Sequence, residues 1–204
     1  MQKPERSHWE AALRVIRYIK VEPGKGLLMS ANTKSQLTGF CDADWAACPD
    51  TRRSVTGFIL KFGDSLISWK SKKQNTVSRS SDEAEYRSLA TLTVEIVWVN
   101  NLFHELEVKL IGPATIYCDS KAAIQIAANP VFHEQTKHIE IDCHFIREKV
   151  QQGLIRPTYV HTKDQQADAL TKALGMIQHD ILINKLGFLN LFNTSSLRRS
   201  IGIG

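Results

Sequence analysis

The stretch Gly39-Phe-Cys-Asp-Ala-Asp-Trp45 alternates as a β-strand does and ends in carboxylates. Because successive side chains of a strand point to opposite faces, Phe40, Asp42 and Asp44 share one face and small side chains occupy the other. Acidic side chains at the end of an apolar strand are costly to bury unless something pairs with them. The stretch therefore predicts a strand that carries a carboxylate to the edge of a sheet, and periodicity alone does not choose between Asp42 and Asp44.

A second stretch, Thr115-Ile-Tyr-Cys-Asp-Ser120, repeats this arrangement. Tyr117 and Asp119 share a face there, and Cys118 lies opposite them. Two strands that end in an aromatic residue, a cysteine and an aspartate predict that Asp42 and Asp119 meet at one edge of a sheet. The alternative, that two acids merely end two strands, is less favoured because two more acids fall in apolar helices.

Composition is that of a globular protein with a core of its own. The chain has 204 residues, enough for one sizeable domain or one domain with an appendage. No apolar run approaches membrane-spanning length, and no secretory pattern is present at the N-terminus. The net charge of +5 weakly favours a polyanionic partner. Four cysteines without paired C-x-x-C spacing predict reduced thiols and an intracellular protein.

The periodicity of the remaining chain predicts a mixture of helices and strands. Predicted helices cover residues 8–20, 80–107, 121–128 and 133–152, and a last helix carries Asp168. Predicted strands cover residues 26–30, 55–62, 65–70 and 154–160, in addition to the two that end in acids. Gly63-Asp64 is a two-residue hairpin signal with glycine first. This order of elements predicts an α/β domain.

The long predicted helix at 80–107 carries a third acid on its buried face. Ser80 and Glu83 fit a capping box, and the helix start and its dipole also explain Asp82. An apolar stripe at helical spacing follows through Leu89, Leu92, Ile96, Val99 and Phe103. One step further back, the same stripe reaches Glu85, which therefore shares the buried face.

The fourth acid, Asp168, lies in the first turns of the last helix beside apolar positions, with Thr162 and Gln165 as candidate caps. Four carboxylates suit hard divalent cations, and Mg²⁺ in particular prefers oxygen ligands. Two such ions about 3.5–4 Å apart can activate a water and stabilise the leaving oxygen of a phosphodiester. No lysine partner is expected near the four acids, which favours a metal site.

Two other polar clusters leave alternatives open. The basic run Lys70, Lys72, Lys73, Gln74 and Arg79 indicates either a solvated loop or a rim that contacts phosphates. His138, Cys143 and His144 share one predicted helix, but their spacing matches no common zinc pattern, so a solvated helix is favoured.

A family resemblance rests on motifs that run in order from about Leu37 to Leu174. They are Gly39–Trp45, Arg52–Gly57, Ile67–Gln74, Ser80–Tyr86, Tyr117–Ser120, Lys137–Ile139, His144–Glu148 and Asp164–Lys172. In this combination the chain resembles the ribonuclease H domain of copia-type retrotransposon Pol polyproteins. Upstream, His8–Lys20 resembles the segment that joins the reverse transcriptase to that domain.

The resemblance implies a ribonuclease H-like α/β fold, with a five-stranded mixed sheet of three antiparallel and then two parallel strands, flanked by helices. It implies Asp42, Glu85, Asp119 and Asp168 as the catalytic and metal-binding set, with two Mg²⁺ ions that Mn²⁺ can replace. It also implies endonucleolytic cleavage of the RNA strand of RNA–DNA hybrids during reverse transcription, leaving a 5′-phosphate.

The same resemblance implies the surroundings of the site. The expected substrate contacts are Lys73, Gln74, Ser81 and His138, and the auxiliary candidates are Asp44 and His161. The expected partners are an RNA–DNA hybrid and an upstream reverse transcriptase domain of the same polyprotein, without a membrane. The expected location is intracellular, either in a cytoplasmic virus-like particle or in the nucleus.

The expected domain organisation is a connection segment at 1–35, a ribonuclease H-like domain at 36–176 and a partly disordered extension at 177–204. The acidic polymerase motif, the protease and the integrase zinc motif are absent, so the chain is expected to be the end of a polyprotein or a remnant copy. The alternative function is a nucleic-acid-binding remnant without catalysis. A transposase core is disfavoured because Leu154 and Ile155 stand where it needs a glutamate.

Overall fold

The computed structural model describes residues 3–30, 34–128 and 139–192. The strands are β1 Lys25–Leu27, β2 Leu37–Asp44, β3 Val55–Phe62, β4 Ser65–Lys73, β5 Ala114–Cys118, β6 Ile155–Tyr159 and β7 Phe188–Asn190. The helices are α1 Arg6–Val21, α2 Ser81–Glu105, α3 Lys121–Ala128, α4 Glu140–Gln151, α5 Asp168–Thr171 and α6 Met176–Lys185. A 3₁₀ turn, Thr162–Asp164, precedes α5.

Five strands form one mixed sheet in the order β4-β3-β2-β5-β6. The β2–β3 and β3–β4 pairs are antiparallel, whereas the β2–β5 and β5–β6 pairs are parallel. The predicted sheet of three antiparallel strands followed by two parallel ones is therefore confirmed. Because β2 and β5 run in parallel as neighbours, their carboxyl ends lie at the same edge, and this edge receives Asp42 and Asp119.

Helix α2 supplies much of the core that holds this sheet. The predicted apolar stripe is buried through Leu89, Leu92, Ile96 and Val99. Ser80 caps the helix as predicted, since its hydroxyl accepts the Glu83 backbone N–H at 3.1 Å. The Glu83 carboxylate accepts the N–H of Arg79 at 2.8 Å, one residue before the one that a capping box requires. The packed stripe fixes the rotation of α2 and so the direction of its first turns.

Contacts divide the chain into two units, one of residues 1–28 with 187–204 and one of residues 29–186. In the described part of the smaller unit, α1 buries none of its residues, and β1 pairs antiparallel with β7. The larger unit contains the five-stranded sheet and α2 to α6. The domain limits expected at 35 and 176 stay predictions, and the tail expected to be disordered after Phe192 lies outside the described residues.

Three local predictions were wrong. Strand β4 runs to Lys73, whereas the predicted strand ends at Lys70, so the start of the basic run lies in a strand. In the helix predicted to be solvated, Arg147 is buried, and its guanidinium donates to the Ile126 carbonyl at 3.1 and 3.2 Å. The Thr162 hydroxyl bonds to Asp119 and caps no helix. None of the helices in the described ranges is long and apolar enough to cross a membrane.

Candidate active site

Asp42 lies near the end of β2, opposite Gly57 on β3, and its carboxylate is only 1% exposed. Helix α5 covers this face of the sheet. A Cβ atom at Gly57 would come within 2.5 Å of the Thr171 methyl group and 3.1 Å of the Leu170 Cβ. The absence of a side chain at Gly57 therefore lets α5 approach the sheet closely enough for its residues to reach Asp42.

Two side chains at the end of α5 contact Asp42. The Thr171 hydroxyl donates to Oδ2, and the Lys172 ammonium lies 3.2 Å from Oδ1. The same ammonium lies 2.7 Å from Oδ1 of Asp168, itself 5% exposed. The expectation that no lysine stands near the acids was wrong, because Lys172 follows Asp168 by four residues and so returns to the same side of the chain.

The other two acids meet beside β5. Oε1 of Glu85 accepts the N–H of Ala43 at 3.1 Å, which ties α2 to the residue after Asp42. Ligand atoms of Glu85, Cys118 and Asp119 all lie within 4.8 Å of one another. Thr162 donates its hydroxyl to Oδ2 of Asp119 at 2.9 Å. The structure thus brings all four predicted acids to one edge of the sheet.

Burial and mutual repulsion control the protonation of the site. Burial raises the pKa of Glu85 to about 10, and the nearby Cys118, Asp42 and Asp119 add to this rise, whereas the Ala43 N–H opposes it. Burial also raises the pKa of Asp168 to about 6, although the hydrogen bond from Lys172 opposes it. At neutral pH in the absence of another cation, Glu85 therefore keeps its proton, which relieves the crowding of negative charge.

Burial and neighbouring charges also shift the pKa values of Asp42 and Lys172. Burial raises the pKa of Asp42 even though Thr171 and Lys172 both lower it. Burial alone would lower the pKa of Lys172, but its bond to Asp168 and the charge of Asp42 outweigh burial and raise that pKa above its usual range. Lys172 therefore stays an ammonium ion at neutral pH.

Two buried polar side chains hold the site in place: Ser88, which the sequence pattern did not mark, and Gln165, which was predicted only as a helix cap. The Ser88 hydroxyl on α2 donates to the Asp42 carbonyl at 2.8 Å. Gln165, which is fully buried, donates to the Cys41 carbonyl at 2.9 Å and accepts the Ala167 N–H at 3.2 Å. The signal for both in the sequence is a polar residue at a position where the hydrophobic pattern predicts the core, since buried polar groups need hydrogen-bond partners.

The auxiliary candidates lie at the border of the site. Asp44 lies two residues beyond Asp42 at the end of β2 and is partly exposed. His161 precedes the 3₁₀ turn that leads to Asp168, and its ring packs edge-on against Tyr159 with centroids 5.4 Å apart. Both residues therefore lie near the four acids, and both are more exposed than Asp42.

Of the four predicted substrate residues, the three that the structure describes lie near the start of α2. A groove of about 490 Å³ is lined by cations and amides, among them Lys70, Lys72, Lys73, Gln74 and Arg87. Gln74 donates to the Ala84 carbonyl at 3.0 Å, so the groove lies beside the first turns of α2. Ser81 is the exposed first residue of α2, and His138 lies outside the described residues. The basic run thus lines a concave surface and not an isolated loop.

Lys73 has a contact of its own with a cysteine. Its ammonium lies 2.9 Å from Sγ of Cys48, and this hydrogen bond, together with one from Thr51, lowers the pKa of the thiol to about 6. Cys48 is partly exposed, whereas Cys41, Cys118 and Cys143 are buried, and all four are free. Cys48 is therefore the accessible thiolate of the described chain.

The order and directions of the five strands define the fold class, and a comparison with solved structures gives the same class. The N-terminal RNase H domain of Rv2228c from Mycobacterium tuberculosis matches with a TM-score of 0.50 at 13% identity, over 74% of this chain and 98% of that one. At this identity the likeness shows the fold alone. The chain has the ribonuclease H fold, with the sheet order described above.

Sequence comparison gives the family. The chain is 43% identical over 191 residues to the Retrovirus-related Pol polyprotein from transposon RE2 of Arabidopsis thaliana, and 43% identical over 187 residues to that from transposon RE1. These matches cover 94% and 92% of this chain but 13% of either polyprotein. No protein-family model matches the chain. The chain belongs with the Pol polyproteins of copia-type retrotransposons, as a domain of ribonuclease H fold that spans about an eighth of their length.

Proposed function

We propose that this chain is a metal-dependent ribonuclease H that cleaves the RNA strand of RNA–DNA hybrids, endonucleolytically, during retrotransposon reverse transcription. The observation that carries this proposal is the meeting of Asp42, Glu85, Asp119 and Asp168 at one edge of the sheet. Carboxylates from two strands and two helices, mostly buried and mutually repelling, form a costly arrangement that a structural role alone does not require.

The donor set fits hard divalent cations. Asp42 and Asp168 already hold one cation, the Lys172 ammonium, and Glu85 and Asp119 present carboxylate oxygens within 4.8 Å of each other. Oxygen ligands of this kind suit Mg²⁺ and Mn²⁺. When bound, two such ions would activate a water and stabilise the leaving oxygen of the phosphodiester.

The protein's own residues would bind and orient the hybrid. Lys73, Gln74, Ser81 and His138 are the proposed substrate contacts, and the cations of the groove beside the first turns of α2 favour a phosphate backbone. The wide minor groove of an A-like duplex displays the 2′-hydroxyls that distinguish RNA from DNA. Asp44 and His161 are proposed as auxiliary residues at the border of the site.

We further propose that the domain acts inside a longer Pol polyprotein, next to a reverse transcriptase domain, in a cytoplasmic virus-like particle or in the nucleus. The similarity to Pol polyproteins over 13% of their length supports this context. The four free cysteines are compatible with a reducing compartment.

The test is to incubate the purified chain with an RNA–DNA hybrid labelled on either strand, with Mg²⁺ or with chelator. We expect cleavage of the labelled RNA strand only, dependent on Mg²⁺, and none of the matched DNA duplex. Asp42→Asn serves as the inactive control. Tight hybrid binding without cleavage in any divalent metal would overturn the proposal and support the non-catalytic binding remnant.

A further inference from the structure

Lys172 holds the position between two of the four carboxylates. Its ammonium contacts Asp42 at 3.2 Å and Asp168 at 2.7 Å, so one cation neutralises parts of two separate elements, β2 and α5. Asp42 and Lys172 are 130 residues apart in the chain. The contact therefore forms only in the folded protein.

The geometry of α5 aims Lys172 at this position. Lys172 leaves the helix in an extended conformation, and its backbone N–H still donates to the Asp168 carbonyl at 3.0 Å. Thr171 occupies the second oxygen of Asp42 at the same time. The Asp42 carboxylate is thus bonded through both oxygens by consecutive residues of one segment.

The two partners of the ion pair differ in their access to water. The Asp42 side chain is 1% exposed, whereas that of Lys172 is 34% exposed. A buried, ionised carboxylate without a counter-ion is strongly unfavourable, so Asp42 stays ionised only while a cation lies beside it. The flexible, partly exposed lysine is the partner that can leave when another cation takes its place.

We propose that Lys172 is a resident counter-ion that competes with divalent metal for Asp42 and Asp168, so that metal binds only as the ammonium leaves. This inference rests on the proposed function. Lys172 keeps the acidic edge folded before metal arrives, and it lowers the apparent affinity for metal. If the ammonium leaves the carboxylates about a tenth of the time, the apparent Kd is about tenfold weaker than the intrinsic one.

The experiment measures metal binding by the whole chain without nucleic acid. Mn²⁺ and Mg²⁺ alone are titrated calorimetrically into wild type, Lys172→Met, Lys172→Arg and Lys185→Met. Lys185 is a matched control, since it also pairs with a carboxylate, Asp164, at 3.1 Å and its side chain is 38% exposed. We expect Lys172→Met to bind metal about tenfold more tightly and Lys185→Met to change the Kd less than about twofold.

Melting in chelator gives a second readout that does not depend on activity. Lys172→Met should melt below wild type in chelator and recover more than wild type on addition of Mg²⁺. Lys172→Arg keeps a charge with a fork of donors for both carboxylates, so its metal affinity should not exceed that of wild type. Tighter metal binding by Lys172→Arg would therefore contradict the competition even if Lys172→Met does not fold.

The outcomes separate the inference from the function on which it rests. Unchanged affinity in Lys172→Met, equal tightening in Lys185→Met, or tighter binding by Lys172→Arg would each overturn the competition while the nuclease proposal stands. Failure of wild type and every folded variant to bind metal would instead overturn the metal-dependent function itself.

Discussion

Burial separates two carboxylates that strand periodicity leaves equivalent. Asp42 and Asp44 share a face of β2, but Asp42 is 1% exposed and bonded by Thr171 and Lys172, whereas Asp44 is partly exposed at the strand end. The buried acid is the one that the fold orients from several sides. The role of Asp42 can therefore be tested by comparing a variant of Asp42 with the same variant of Asp44, two residues further along the strand.

Asp42→Asn should lower the rate of hybrid cleavage at least about 100-fold. Mutation of a residue that only hydrogen-bonds to a metal ligand already lowers metal affinity or activity about 10–100-fold. Asp44→Asn should lower it less than about tenfold. Initial rates in Mg²⁺, together with melting curves that show both variants folded, provide the measurement. Equal losses in the two variants would show that the ligand is misassigned.

Cys48 offers a residue-level test of the contact with Lys73. A thiol pKa of about 6 makes Cys48 mostly thiolate at pH 7, so iodoacetamide should modify it first among the four cysteines, with a midpoint near pH 6. Lys73→Ala should move this midpoint upwards, towards the usual value of about 8.5. Peptide mass spectrometry across a pH series measures both, with Lys72→Ala as control. The same midpoint in Lys73→Ala would exclude the hydrogen bond as the cause.

Among the elements, α5 depends most on its surroundings. It is only four residues long, and so short a helix has little stability of its own. Its position comes from packing on Gly57 and from the bonds that Thr171 and Lys172 make to Asp42. The element that carries Asp168 is thus held by the sheet that carries Asp42.

Gly57→Ala should push α5 away from β3, because the added methyl group would meet Thr171 and Leu170. We expect a loss of about 1–3 kcal/mol in the free energy of unfolding, typical of overpacking, and a lower cleavage rate. Chemical denaturation and rate assays measure the two effects. Gly26→Ala, where a new Cβ meets nothing within 4 Å, is the control and should change neither. Wild-type stability in Gly57→Ala would mean that α5 is not closely packed there.

On the scale of the whole molecule, stability and function oppose each other at the acidic edge. The folded protein binds the proton of Glu85 more tightly than the unfolded chain does, because its pKa rises from 4.5 to about 10. The contribution of Glu85 to stability without metal is therefore fully present below about pH 4.5, declines as the pH rises to about 10, and stays lost above. A cation at the site would offset this loss.

Glu85→Gln should raise the melting temperature in chelator at pH 8 and flatten its decline with pH, because the amide can still accept the Ala43 N–H without a charge. Mg²⁺ should raise the melting temperature of wild type, since it binds the folded site, and raise that of Glu85→Gln less. Glu95→Gln on the same helix is the control. A variant that melts below wild type at pH 8 in chelator would contradict the raised pKa of Glu85.

The basic groove makes a prediction about the binding of the entire domain to a hybrid. Lys73→Ala should weaken binding and reduce the slope of log K against log salt by about one, as expected for one lost phosphate contact. Fluorescence anisotropy with a catalytically inactive Asp42→Asn background gives the slope. Exposed Lys163, on the 3₁₀ turn and not among the residues that line the groove, is the comparison. An unchanged slope in Lys73→Ala would show that Lys73 contacts solvent and Cys48 but no phosphate of the hybrid.

Local patterns in the sequence determined the five strands of the mixed sheet, the buried stripe of α2 and the four acids, because side-chain alternation and helical spacing are properties of neighbouring residues. Strand β7 was not predicted. The motif order also sufficed for the ribonuclease H fold. Only the tertiary structure decided that Asp42 is buried while Asp44 is not, that Cys118 adjoins Glu85, and that Lys172 bridges Asp42 and Asp168. The physical reason is that burial and ion pairing depend on groups far apart in the chain, which meet only when α2 and α5 pack against the sheet.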